Sequence, residues 1–369
     1  MRIGVNARLI VGQPMEGIPR YIFETTIHMA RAHSDDEFIL FFDRKVNLGV
    51  ELPYNVKTVV VPWHARHPVI WHIWLEYMLP FYFKWYQIDV FYSGDGYMSQ
   101  KSEIPTLLVI HDLAYVHYPE HIKKSSLQHY QKYLPKYVDA ANRIISVSHF
   151  VKNDLIQHFG IDPAKIKVAY NAVSQDDHSD KHSKIPYSNS QLNDHPYFLY
   201  VGAIHPRKNI LKLIRAFVKF NASSSQKYKL VLAGRMAWKT EEIAQAIANS
   251  EDVIYMGMVS EGVKNQLLAH AVAVAYISLF EGFGIPILEA MGHGTPVITS
   301  SVTSMPEVAG EAAILVDPES EDEIAHAMKT ICEDQKVRRY LTKAGMERCK
   351  FFTWAKSADI IYKELKWLL

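Results

Sequence analysis

Long apolar runs are missing from this sequence of 369 residues. No window reaches the ~18 uncharged apolar residues that cross a bilayer, so no membrane-spanning helix is expected. Cysteine is nearly absent. Cys332 and Cys349 have no metal spacing and no disulfide framework, which fits a reducing, cytoplasmic compartment. Net charge is also lacking: 40 Lys and Arg against 39 Asp and Glu leave +1, without the basic surface that a nucleic-acid partner needs. The 18 histidines are scattered, with no tract and no HExxH pair. The opening residues Met1 to Arg8 are too short in apolar run for a signal peptide. No GxGxxG follows the first strand, which removes the dinucleotide fingerprint.

What is present is enough apolar material, 49%, for each half of a two-domain chain to bury its own core. Short apolar runs bounded by turn residues predict buried parallel strands at Ile3–Ala7, Phe38–Phe42, Lys57–Val61, Val90–Tyr92, Thr106–Ile110, Arg143–Val147 and Ile166–Ala169. Helices are expected over Pro19–Ala30 and Ser125–Ala141, and after Ser148, a capping residue. Residues 175–195 are polar and aperiodic and read as a connector. Strands then resume at Tyr197–Gly202, Lys229–Ala233, Val253–Met256, Val272–Ser278, Pro296–Thr299 and Ala312–Val316, alternating with helices. Two βα arrays predict two doubly wound, Rossmann-like domains facing across a cleft, residues 1–174 and 196–351. The amphipathic segment from about 352 to 369 is long enough to cross back onto the first domain. Trp63 to Tyr86 is crowded with aromatics (Trp71, Trp74, Tyr77, Phe81, Tyr82, Phe83, Trp85), which fits either a core-packed helix or a membrane-surface face.

One stretch organises the second half: Glu281-Gly-Phe-Gly-Ile-Pro-Ile-Leu-Glu289. It follows a predicted strand, and Gly282 and Gly284 let a ligand approach the backbone. Pro286 suits a helix start, and a helix N-terminus attracts phosphate. The carboxylates suit sugar or ribose hydroxyls, although each alone also fits a capping or solvated role. Arg207 and Lys208 fall in another strand-to-helix loop of the same sheet edge, where cations oppose the macrodipole and suit a diphosphate. His111 ends a strand, where open α/β sheets bind ligands, a place that structural histidines also take. Gly12 and Gly17 fit plain turn glycines.

These residues resemble the retaining nucleotide-sugar glycosyltransferases of family 4, which have the GT-B fold. The resemblance spans nearly the whole chain and rests on Tyr200-Val-Gly-Ala-Ile-His-Pro-Arg-Lys-Asn209, Ser278 to Gly292, Gly294-Thr-Pro-Val-Ile298 and Met305-Pro-Glu-Val-Ala-Gly310. Within the family it is most similar to bacterial polysaccharide and O-antigen mannosyl- or glucosyltransferases. The resemblance implies a donor-binding second domain and an acceptor-binding first domain. By similarity Glu281 and the Phe283-Gly284 backbone hold the donor sugar's hydroxyls, Glu289 the ribose, and Arg207 and Lys208 balance the diphosphate, with Gly202, Gly282 and Ile285 also among the donor- and nucleotide-binding residues. His111 matches a histidine near the donor sugar, and Gly17 a glycine against the phosphates. Many members carry Arg where this chain has Ala203, which leaves more of that role to Arg207.

The reaction so implied is retaining transfer of a hexosyl group, glucose or mannose, from a UDP- or GDP-sugar to a hydroxyl of a saccharide or lipid-linked saccharide. No DxD motif offers a metal site, so the cations are expected to replace a metal, and no cofactor is expected. Peripheral contact with the cytoplasmic face of the inner membrane fits such an acceptor. The alternatives are another GT-B activity, such as a sugar-nucleotide epimerase, and a non-catalytic nucleotide-sugar-binding protein.

Overall fold

A computed structural model of the chain describes residues 1–12, 15, 17–65, 68–173 and 195–369. Residues 175–194 of the expected connector lie outside the described residues. The chain divides into two compact units, Met1–Asn171 with Trp354–Leu369, and Ala172–Thr353.

The first unit runs β1 (Arg2–Asn6), α1 (Ile18–Ala32), β2 (Glu37–Phe42), β3 (Val56–Val60), α2 (Pro68–Ile73), α3 (Leu79–Trp85), β4 (Val90–Ser93), β5 (Thr106–Ile110), α4 (Ala114–His117), α5 (Lys124–Ala140), β6 (Arg143–Ser146), α6 (His149–Phe159) and β7 (Ile166–Val168). The second runs β8 (Tyr197–Val201), α7 (Ile210–Ser223), β9 (Lys229–Ala233), α8 (Glu241–Ala248), β10 (Val253–Gly257), α9 (Glu261–His270), β11 (Ala273–Tyr276), α10 (Ile285–Gly292), β12 (Val297–Ser300), α11 (Met305–Ala309), β13 (Ile314–Val316), α12 (Glu321–Glu333) and α13 (Gln335–Cys349). The last helix, α14 (Trp354–Trp367), returns to the first unit.

Both sheets are parallel throughout, and their strand orders are β3-β2-β1-β4-β5-β6-β7 and β10-β9-β8-β11-β12-β13. Each is the doubly wound order. The direction of winding reverses between β1 and β4 in one sheet, and between β8 and β11 in the other. Loops leaving those paired strands diverge to opposite faces and leave a crevice at the carboxyl edge. The strands cluster there because they are buried on both faces: every residue of β5, β8, β11 and β12 is buried.

The return of α14 follows from its apolar stripe. Trp354 meets the Tyr21 ring edge-on at 5.9 Å, and Ile361 and Leu365 are fully buried. Ser357 Oγ donates to the Tyr170 carbonyl at 2.6 Å, and Tyr362 Oη to Asp36 at 2.6 Å.

The aromatic segment divides into two stripes. Trp71, Trp74, Leu79 and Phe83 are buried, while Tyr77, Phe81 and Trp85, spaced four residues apart, are more than half exposed. Between α2 and α3 the chain widens to a π-helical turn at Trp74–Met78. Pro80 follows that turn and cannot donate to the carbonyl four residues back, which favours the wider bonding there. Among the described residues, no helix is long and apolar enough to cross a membrane.

Candidate active site

At the crevice of the second sheet, the loops after β8 and β11 are stitched together. Leu279 N donates to the Arg207 carbonyl at 2.9 Å, and Arg207 Nη1 donates to the Phe280 carbonyl. Arg207 and Lys208 lie in a 3-10 turn, Pro206–Lys208, ahead of α7. Asn209 ends that turn in a left-handed conformation (φ 60°) and anchors it by donating to the Pro318 carbonyl at 2.7 Å and the Ile277 carbonyl at 3.3 Å.

The two cations converge on one carboxylate. Lys208 Nζ pairs with Glu281 Oε1, and Arg207 Nη1 lies 3.4 Å from Oε2. Lys208 also donates to Tyr276 Oη at 2.8 Å. Burial pushes the Glu281 carboxyl up, but Lys208 and then Arg207 outweigh it and hold the group at about 2. A charge this enclosed is tolerable only because it is paired. The backbone of Glu281 is fixed too: its N–H donates to Thr303 Oγ1 at 3.3 Å, and its carbonyl accepts from Ser304 Oγ at 2.9 Å.

The glycine loop then turns into α10. Gly284 takes φ 101°, where a Cβ would lie 3.1 Å from Ile287 Cδ1, so glycine is required. Phe283 packs inward, edge-on to Phe352 at 5.7 Å, which leaves its backbone as the part facing the loop. Pro286 occupies the first turn of α10, as the sequence predicts.

At the other sheet, His111 follows β5. Its Nε2 donates to the Gly94 carbonyl at 2.8 Å, and Tyr21 meets its ring edge-on at 5.2 Å. Burial lowers its pKa against the opposing pull of the Gly94 carbonyl and Asp112. The ring is therefore neutral at pH 7, with Nδ1 as the lone-pair nitrogen. Gly17 is the residue ahead of α1, with φ 57°, and its carbonyl accepts from Tyr21 N at 3.0 Å.

The two halves of the chain match two family profiles. Residues 15–177 match "Glycosyltransferase Family 4", and residues 183–348 match "Glycosyl transferases group 1". The chain belongs to the GT-B glycosyltransferases. It is 28% identical over 358 residues to the O-antigen chain mannosyltransferase B of Escherichia coli, covering 92% of this chain and 93% of that protein. To the O-antigen chain mannosyltransferase RfbU of Salmonella typhimurium it is 31% identical, over 61% of this chain and 60% of that one. The crystal structure of Anabaena HepE in complex with UDP and glucose superposes with a TM-score of 0.74 at 20% identity, covering 99% of each chain.

The glycosyltransferase thus brings together three residues singled out from sequence, Arg207, Lys208 and Glu281. Glu289 stands apart from them on α10, paired with Lys264 Nζ at 2.8 Å; Lys264 also bonds Glu261 at 2.8 Å. Burial lowers the Lys264 pKa, but Glu289 and then Glu261 outweigh it, and the net shift is upward. Sequence reasoning missed Lys264 because its partner is 25 residues away. It also missed the buried cluster at the β1/β4 crevice. There Asp95, fully buried, accepts from Asn6 Nδ2 at 2.8 Å and pairs with Arg8 Nη2 at 3.3 Å. Arg8 lies over the Tyr97 ring, and Trp71, His129 and Tyr130 flank that ring. Only their position past the ends of β1 and β4 could have signalled them.

Proposed function

We propose that this glycosyltransferase moves a hexosyl group, with retention and without a metal, from a nucleoside-diphosphate sugar to a saccharide or lipid-linked saccharide in bacterial polysaccharide synthesis. The observation that supports this reading is the Arg207–Glu281–Lys208 cluster at the β8/β11 crevice. Breaking the anomeric C–O bond leaves positive charge on the sugar and negative charge on the diphosphate. The two cations suit the leaving group, and they are held in place beforehand by Glu281. As the diphosphate draws the cations, the Glu281 carboxylate becomes free to accept from sugar hydroxyls. Gly202 and the backbone of residues 282–285 complete that surface, and Glu289, fixed by Lys264, suits the ribose. His111 and Gly17 are assigned to the donor side on the resemblance alone.

The similarity to two O-antigen mannosyltransferases favours GDP-mannose, and the UDP complex of HepE keeps UDP-glucose in view. A thermal-shift panel of UDP-, GDP- and ADP-sugars separates them, since a ligand that binds only the folded state raises the unfolding temperature by mass action. Product formation with the selected donor should survive EDTA and yield the α-anomer from an α-linked donor. If no nucleotide-sugar stabilises the protein, the reading is wrong.

For the acceptor we assign the first unit, with Arg8, Asp95 and Tyr97 as the polar and aromatic wall. A lipid-linked acceptor agrees with the exposed Tyr77, Phe81 and Trp85 stripe, which suits an interfacial contact with the inner membrane. Trp71 and Trp74 are buried and cannot serve that contact. Co-sedimentation with anionic vesicles should fall when all three exposed aromatics become serine; unchanged binding removes the membrane assignment.

A further inference from the structure

The first unit carries a second polar constellation, on residues that the transfer reading does not use. α4 ends at His117, and α6 presents Asp154 and His158 one turn apart on the same face. His117 Nε2 donates to the Asp154 oxygens at 2.8 and 2.9 Å, and His158 Nε2 lies 3.2 Å from Oδ1. The two rings stand nearly perpendicular, at 79°, with centroids 5.1 Å apart. Two imidazoles thus reach one carboxylate from different directions, and one atom of each of the three residues lies within 4.8 Å of the others.

Burial makes this grouping unusual for a bare surface. The Asp154 side chain is 4% exposed, while both histidines reach solvent. Among the described residues, the two rings are the ionic partners of that carboxylate. A buried carboxylate needs a counter-charge, and a divalent cation supplies one whatever the protonation of the rings. We propose that His117, Asp154 and His158 bind one divalent transition-metal ion of the zinc class, through Nε2, a carboxylate oxygen and Nε2, with water completing the shell.

The donor set selects the class of ion. Two imidazoles with one carboxylate suit zinc and its neighbours, whereas magnesium and calcium favour all-oxygen shells. Zinc ligands lie about 2.0–2.2 Å from the metal, so adjacent donors sit about 3.3 Å apart in a tetrahedral shell. The observed 2.8–3.2 Å separations between nitrogen and oxygen open to that with small rotations of the exposed rings. Each Nε2 releases its proton to Nδ1 or to solvent as the metal binds. The ion would brace α4 against α6. α4 has four residues, too few to be stable as a helix alone, and it belongs to the segment that begins at His111.

The inference is independent of the proposed sugar transfer. Its test uses the full chain without a histidine tag, stripped with EDTA, and titrated with zinc chloride by calorimetry. Cobalt(II) absorption in the visible gives a second readout. One ion per chain is expected, with H117Q and H158Q each weakening it at least tenfold and the double variant abolishing it. Glutamine keeps an N–H donor for Asp154 in place of each Nε2 but no imidazole nitrogen for a metal, so the metal-free variants should stay folded, and their circular dichroism and unfolding temperature check this. Absence of one-to-one binding overturns the proposal, as does binding that the double variant leaves unchanged.

Discussion

In the proposed donor site, Glu281 takes the contacts on Arg207 and Lys208 that a diphosphate would make. Its carboxylate neutralises the largely enclosed Arg207 and Lys208 side chains and so holds both cations in position. E281Q should therefore lose transfer by about 100- to 1,000-fold, in the range of other preorganised electrostatic groups, while nucleoside diphosphate alone binds more tightly. Calorimetry with the free diphosphate checks the second half; weaker binding in E281Q would contradict the arrangement. The pH dependence has a definite sign. A carboxyl held at about 2 in the folded protein and at 4.5 when unfolded stabilises the fold above 4.5, and that contribution fades as pH falls toward 2. The stability gap between wild type and E281Q should thus be full at pH 7 and shrink at pH 3, measured by urea unfolding. R207A and K208A should each cost transfer, and the double variant less than their product, because they act on one charge.

At the scale of elements, the strands were legible because strands buried on both faces read as short apolar runs. Phe198 to Val201 and Val274 to Tyr276 show this, buried throughout. The aromatic segment was not separable into its two stripes. Both stripes repeat every four residues and both carry aromatics, so the sequence pattern does not say which of them faces the core, and the π-helical turn at Trp74–Met78 shifts the faces relative to an ordinary helix. Of the site, Glu281 and the cations were visible as a motif, but their mutual pairing was not. Lys264 and Asp95 act through contacts that only folding creates. Gly234 is a further example. A Cβ there would sit 1.9 Å from the Gly202 carbonyl oxygen, so the loops after β8 and β9 meet only through glycine. G234A should destabilise the protein by about 1–3 kcal/mol and weaken nucleotide-sugar stabilisation, because the Gly202 loop must move. G262A, in the first turn of α9 with open space around it, should instead be neutral or stabilising by about 0.5–1 kcal/mol. Thermal unfolding of the pair checks both, and equal losses would argue against the packing explanation.

For the whole molecule, the chain crosses from the first unit to the second and back again. The groove on α1 is filled by a helix that lies beyond the entire second unit in sequence. I361A should cost about 2–5 kcal/mol in the first unit alone. Hydrogen exchange should show lost protection in β1 to β7 and unchanged protection in β8 to β13. Uniform loss would mean that the units do not unfold separately.

The returning helix also sets an order of events at the ribosome. β1 to β7 are translated early, yet Tyr21 waits for Trp354 and must remain uncovered until residues 172–353 have been made. The unit begun first is the one finished last, and the second unit, whose residues are contiguous, completes its fold in the interval. An apolar groove left open for that long is a natural place for a chaperone to hold the nascent chain.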